Sequence, residues 1–131
     1  MKNIFILVLV LFCFSACQES LEKRAARELK EYTLKKCPTP IINDVQTDSA
    51  NYEPETKTIH YYQKLCNRAD NAEAINQHKS EIVSSMKDNL KANTANKTYK
   101  DNGFNFRYTY RSQKEPNKII LDVTFTPKDY K

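Results

Sequence analysis

From Phe104 to Arg111 the side chains alternate without a break, with Phe104, Phe106, Tyr108 and Tyr110 in one row and Asn105, Arg107, Thr109 and Arg111 in the other. A repeat of two is the period of an extended strand half-buried in a sheet, and a helix would scatter the same residues around its axis. A second run, Lys118 to Thr126, alternates Ile119, Leu121, Val123 and Phe125 with Ile120, Asp122, Thr124 and Thr126. A loop at Gln113 to Pro116 joins the two. Pairing Ser112 with Asn117 keeps both apolar rows on one face and sets Tyr108 opposite Leu121 and Arg107 opposite Asp122, whereas a slip of one residue mixes the faces. The chain must therefore contain a hairpin with one apolar face to cover.

The upstream sequence offers the cover. Ser20 caps a helix running to about Lys36, with Leu21, Ala25, Leu29 and Tyr32 on one stripe, and Pro38 and Pro40 end it. Two extended segments between Ile41 and Gln63 flank Pro54, which suits the second position of a turn. Asp70 and Glu73 form a cap pair for a second helix in which Ile75, Ile82, Met86 and Leu90 recur to about Asn93. Asp101-Asn102-Gly103 then turns into the alternating strand. The predicted fold is α+β, in the order helix, hairpin, helix, hairpin, with a four-stranded antiparallel sheet and both helices on its apolar face. One glycine in 131 residues disfavours a Gly-rich phosphate loop or a nucleophile elbow.

The N-terminus sets the compartment. Lys2, an apolar run from Ile4 to Phe14, and the small residues Ser15 and Ala16 before Cys17 make a secretory signal layout, and the apolar run is too short to serve as a membrane span. Phe14-Ser15-Ala16-Cys17 resembles the lipobox of bacterial lipoproteins, departing from it at Phe14, where Leu, Val or Ile is usual. The resemblance implies removal of residues 1–16 and acylation of Cys17. A mature domain from Cys17 to Lys131 would then be tethered to a membrane through its N-terminal lipid. Several acyl chains bind strongly, since each buried methylene contributes about 0.8 kcal/mol. Gln18 in place of Asp after the cysteine favours the outer over the inner membrane of the envelope.

The 115 residues from Cys17 onward suit one domain. Losing Lys2 lowers the formal charge from +5 to +4, and both signs are interleaved along the chain. No nucleic-acid groove is expected, because Arg107 and Arg111 lie on the face opposite the aromatic row rather than among stacking rings. Cys37 and Cys66 remain in the mature chain, each between a helix and the open end of the first hairpin, and an oxidising envelope favours a bridge between them. Those cysteines with His60 and His78 lack the paired spacing of a structural zinc site, and no metal, cofactor or catalytic set is expected. Glu53 and Glu55 flank Pro54 as solvated turn carboxylates.

The helix-hairpin order is similar to that of PepSY-like and beta-lactamase-inhibitor-like envelope modules, at fold level. IINDVQTDSANYEPETKTIHYYQKL and GFNFRYTYRS resemble small bacterial envelope proteins with a turn-and-tyrosine hairpin pattern. Neither resemblance carries a catalytic signature, so the expected function is a lipid-tethered, non-catalytic binding or accessory domain with a protein or envelope component as partner. An inhibitor or immunity lipoprotein against an exported toxin or enzyme is the alternative, and a small hydrolase or thiol enzyme is a further rival. With the helices on the aromatic face, the opposite face would be open for a partner through His60, Tyr62, Arg107, Thr109, Arg111, Asp122 and Thr124.

Overall fold

The computed structural model describes residues 18–131. The signal segment, Cys13 and the acylation expected at Cys17 lie outside the described residues. Helix α1 spans Leu21–Lys36, followed by strands β1 (Val45–Glu53) and β2 (Thr58–Leu65). Helices α2 (Ala72–Gln77), α3 (Lys79–Ala92) and α4 (Lys97–Asp101) lead to β3 (Asn105–Ser112), β4 (Ile119–Phe125) and a short α5 (Pro127–Tyr130). The α+β class and the four-stranded sheet agree with the sequence expectation, and the strands lie in the order β1-β2-β3-β4.

The sheet is mixed, not fully antiparallel. Each hairpin is antiparallel, but β2 and β3 run parallel, with Thr58 beside Asn105 and Leu65 beside Ser112. The cause is the connection. One helix of 14 residues, about 21 Å long, returns the chain along an eight-residue strand of roughly 26 Å, so β3 restarts where β2 began.

The register of the second hairpin differs from expectation by two residues over Phe106 to Tyr110, which preserves the faces, and by one at Arg111. Glu53 pairs with Thr58 across a four-residue turn, and Tyr110 pairs with Leu121. Each hairpin also contains a bulge, between Thr47 and Ser49 in β1 and opposite Tyr110 and Arg111 in β4. The second bulge moves Ile119 out of the core row, opposite Arg111, where it is 49% exposed.

Ser20 caps α1 as expected, its hydroxyl accepting from the Lys23 amide at 3.2 Å. The second helix is broken at His78, and its cap is Asn71 rather than Asp70, whose carboxylate instead accepts from the Lys114 amide. The core joins Ala25 and Leu29 of α1 and Leu90 of α3 to Ala50, Ile59, Phe106 and Phe125 of the sheet, with Phe104 and Tyr130 closing one end. Tyr130 donates to the Phe104 carbonyl at 2.8 Å and packs edge-on to Phe106. The outer edge of β1 is occupied. Thr33 of α1 donates to the Ala50 carbonyl and accepts from the Ala50 amide, both at 2.9 Å, and Thr39 bonds Thr47 through backbone and hydroxyl.

Cys37 and Cys66 are free thiols, which corrects the expected disulfide. Asn43 and Asp44 both take positive φ in a tight turn between Ile42 and Val45, and it is Asp44, not Cys37, whose carbonyl meets the Cys66 amide at 2.8 Å. Burial pushes both thiols above their ordinary value, opposite to the activation a nucleophilic cysteine needs.

Phe106 is fully buried at the centre of this core. Phe106→Ala is expected to destabilise the fold by about 3–5 kcal/mol, read as a lower urea midpoint, and an unchanged midpoint would mean that the apolar row is not the core. Thr33→Val, which keeps shape and removes the hydroxyl, is expected to cost about 1–3 kcal/mol in the same assay.

Candidate functional site

The polar face of the sheet contributes no residue to the core cluster and holds a chain of hydrogen bonds across all four strands. It begins at Glu53, the last residue of β1, whose carboxylate meets His60 Nδ1 on β2. His60 Nε2 lies 2.7 Å from Thr109 Oγ1 on β3, and Thr109 lies 3.2 Å from Asp122 Oδ1 on β4. Arg107 closes the chain, donating from Nε and Nη2 to the two Asp122 oxygens at 3.0 and 2.7 Å. Thr109 has one hydroxyl hydrogen. When it donates to Asp122, its oxygen accepts from His60 Nε2–H.

The pleat and the registers explain the assembly. Residues 60 and 107 pair across the parallel ladder and 109 and 122 across the antiparallel one, so His60, Thr109 and Asp122 line one face. Arg107 sits directly opposite Thr124 and reaches Asp122 along the diagonal. Glu53 comes within reach because the turn has four residues, which brings the end of β1 beside the start of β2.

All seven residues expected on this face lie on it, but the face is not uniformly open. His60 and Thr109 are each 3% exposed, which corrects the expectation that they are available to a partner. Tyr62 covers His60, their rings stacked with centroids 4.0 Å apart. Among the described residues every buried side-chain nitrogen and oxygen has a partner, as low-dielectric burial demands. Glu53, read in the sequence as a solvated turn acid, is the member that strand parity alone did not reveal, because its place depends on turn length.

A carboxylate, a histidine and a hydroxyl in series have the connectivity of a nucleophile, base and orienting acid. Two features oppose that use. Thr109 is buried, and its hydroxyl also faces the Asp122 carboxylate. The arrangement fastens the strands and fixes the outer layer, where Arg107, Asp122, Thr124 and Glu53 border a shallow concavity of about 430 Å³. At the other end of the face Arg111 stands beside exposed Ile119 and has no acid within ion-pair distance among the described residues, while neighbouring Lys64 is paired with Asp48 at 3.3 Å.

Comparisons place the chain among relatives by sequence and by fold. The family model described as a domain of unknown function, DUF8479, matches residues 20–121. No curated protein matches the chain. Among solved structures, the chain is similar to a Pseudomonas aeruginosa protein described as secreted, with 18% identity and a TM-score of 0.69 over 87% of this chain and 100% of that one. It is also similar to two pilotins of type II secretion systems. AspS from Vibrio cholerae gives 16% identity and a TM-score of 0.58 over 83% of this chain and 91% of that one. EpsS from Vibrio vulnificus gives 13% and 0.63 over 85% and 92%. At these identities the likeness is one of fold.

His60→Ala would take the partner from the Glu53 carboxylate and the donor from the Thr109 oxygen, so a loss of about 1–3 kcal/mol in unfolding free energy is expected by urea titration, and no loss would deny the chain of bonds a structural role. Arg107 holds the Asp122 carboxyl below the usual carboxylate range, against a smaller opposing effect of desolvation. A depressed folded pKa contributes stability above the unfolded value, about 3.9, and loses it as pH falls through the lower folded value. Asp122→Asn is therefore expected to flatten unfolding free energy against pH below about pH 4, and an unaltered acid limb would count against the pair.

Proposed function

Since the chain belongs to the DUF8479 family, whose description names no activity, we propose from its fold and surface that it is a non-catalytic accessory domain of the bacterial envelope. It is tethered through lipid on Cys17, at the outer membrane, and binds a protein partner on the polar face of its sheet. The observation that carries this reading is the extent of the fold correspondence with two secretion-system pilotins. More than four-fifths of this chain and more than nine-tenths of each pilotin superpose. The partner class proposed is accordingly a component of a secretion apparatus. The signal layout supports the tether, and the family match begins at residue 20, just beyond Cys17.

The residues proposed for contact are those at the outer layer of this face. Arg111, which has no acid within ion-pair distance among the described residues, stands beside exposed Ile119, and Thr124 and the rim of the Arg107–Asp122 pair adjoin the concavity. Arginine next to apolar surface is a combination common at energetic centres of interfaces. Tyr62 contributes its outer ring face while its inner face rests on His60.

Acyl labelling and membrane fractionation test the tether, and both are expected to vanish in Cys17→Ala. A photo-crosslinking residue at position 111 in intact cells is expected to capture one envelope protein, while the same residue at Lys30 or Lys87 on the helical side does not. Arg111→Glu should weaken binding of the recovered partner about tenfold, the equivalent of about 1.4 kcal/mol, without moving the thermal midpoint. Capture from the helical side alone would overturn the proposed face.

A further inference from the structure

One end of the fold collects lysines, and it is the end at which the chain enters. Glu22 in the first turn of α1 lies 3.8 Å from Lys57 Nζ, which donates to the Asn102 carbonyl at 2.7 Å. Asn102 in turn donates to the Thr98 carbonyl of α4. Lys100 of α4 reaches the end of α3, donating to the Leu90 and Lys91 carbonyls at 2.6 and 3.1 Å, and its own carbonyl accepts from Tyr130 of α5. Bonded contacts thus run from the start of α1 to a cavity of about 410 Å³ lined by Lys91, Lys97, Lys100 and Lys131, with Asp101 as the one acidic side chain among its lining residues.

The cavity has the chemistry of an anion site. Lys91 and Lys131 have no carboxylate within ion-pair distance among the described residues, and Lys97 shares Asp101 at 2.6 Å. Lys100 is only 9% exposed, and an ammonium has three donors, of which the two carbonyls take two. Lysine recognises phosphate as a compact point charge, needing no fixed fork geometry.

The position of the entering chain identifies the anion's source. Only Gln18, Glu19 and Ser20 separate Cys17 from α1, a reach of roughly 10 Å even when extended. That reach is shortened further, because Glu19 is pinned back onto Arg27 by two hydrogen bonds at 3.0 and 2.9 Å. We infer that this lysine cavity binds the phosphate of anionic phospholipid headgroups and fixes how the tethered domain stands on its membrane. The inference rests on the proposed lipid at Cys17. With the lysine end against the headgroups, the opposite end, with Lys114 and Lys118 of the β3–β4 loop and Lys35 at the end of α1, points away.

The test is lysine footprinting on the full chain, purified in detergent and reconstituted into vesicles of phosphatidylcholine alone or with phosphatidylglycerol. Acetylation rates are read by peptide mass spectrometry. Anionic vesicles should slow acetylation of Lys91, Lys97 and Lys131 about fivefold relative to neutral ones, and leave Lys35, Lys114 and Lys118 unchanged. In a Lys97→Glu, Lys131→Glu double variant the protection of Lys91 should disappear while the chain stays membrane-bound. Equal protection in both vesicles would mean that the cavity does not distinguish anionic from zwitterionic phosphate headgroups and would overturn the inference, as would slowing at all six lysines. Equal protection in detergent by inorganic phosphate would assign the cavity to a free anion and overturn it too. The N-terminal peptide mass reports acylation separately. Selective protection of an unacylated chain supports the cavity and sinks the tether, whereas unprotected lysines sink the cavity whatever the state of Cys17.

Discussion

Successive side chains of a strand point to opposite faces, and in this chain that simple constraint divides the molecule into two chemistries. The aromatic row through Phe106 and Tyr108 needs cover, so helices α1 and α3 and the closing Tyr130 gather on one side. The alternate row through Arg107 and Thr109 is left with polar groups too close to one another for bulk water to satisfy. They satisfy each other instead, and four strands are joined through side chains as well as through backbone ladders. Burying apolar surface drives the first arrangement, and the cost of unpartnered polar groups specifies the second.

The polar chain illustrates why connectivity is a poor guide to chemistry. Glu53, His60 and Thr109 are ordered as a hydrolytic set would order them, yet catalysis requires the hydroxyl to meet a substrate. Here Tyr62 covers the imidazole and Asp122 faces the hydroxyl. The same bonds that would tune a nucleophile serve to hold Arg107, Asp122 and Thr124 in a fixed outer pattern. A rigid arrangement of this kind suits recognition, in which side chains already ordered lose little entropy on binding.

Much of this was legible in the residues because period-two alternation is unambiguous. Phe104, Phe106, Leu121 and Phe125 all occupy the core row expected of them. Features that depend on a single inserted residue or on path length were not legible. Ile119 sits in perfect alternation with Leu121 and Val123, yet a bulge turns it outward. The parallel β2–β3 pair follows from the helical connection through α2, α3 and α4, and sequence pattern alone is equally compatible with an antiparallel neighbour. The buried state of His60 has a similar origin, since it needs Glu53 from a turn whose length the proline signal did not determine and Tyr62 from two residues on. The free cysteines follow from a two-residue turn at Asn43 and Asp44 that brings a different residue to Cys66.

The single hydroxyl of Thr33, inserted between the amide and carbonyl of Ala50, has a consequence for how copies of this protein can meet. A sheet grows into a fibre only when each subunit offers two free edges, one to receive a neighbour and one to be received. Along β1 the receiving groups from Thr47 to Ala50 are already engaged by α1 and by the strap at Thr39. The longer open edge is then that of β4, and two copies joined there would leave only the partly covered β1 edges outward. Strand pairing between copies would therefore close on itself at β4, because the Thr33 and Thr39 side chains have already used the groups from which a second pairing would grow.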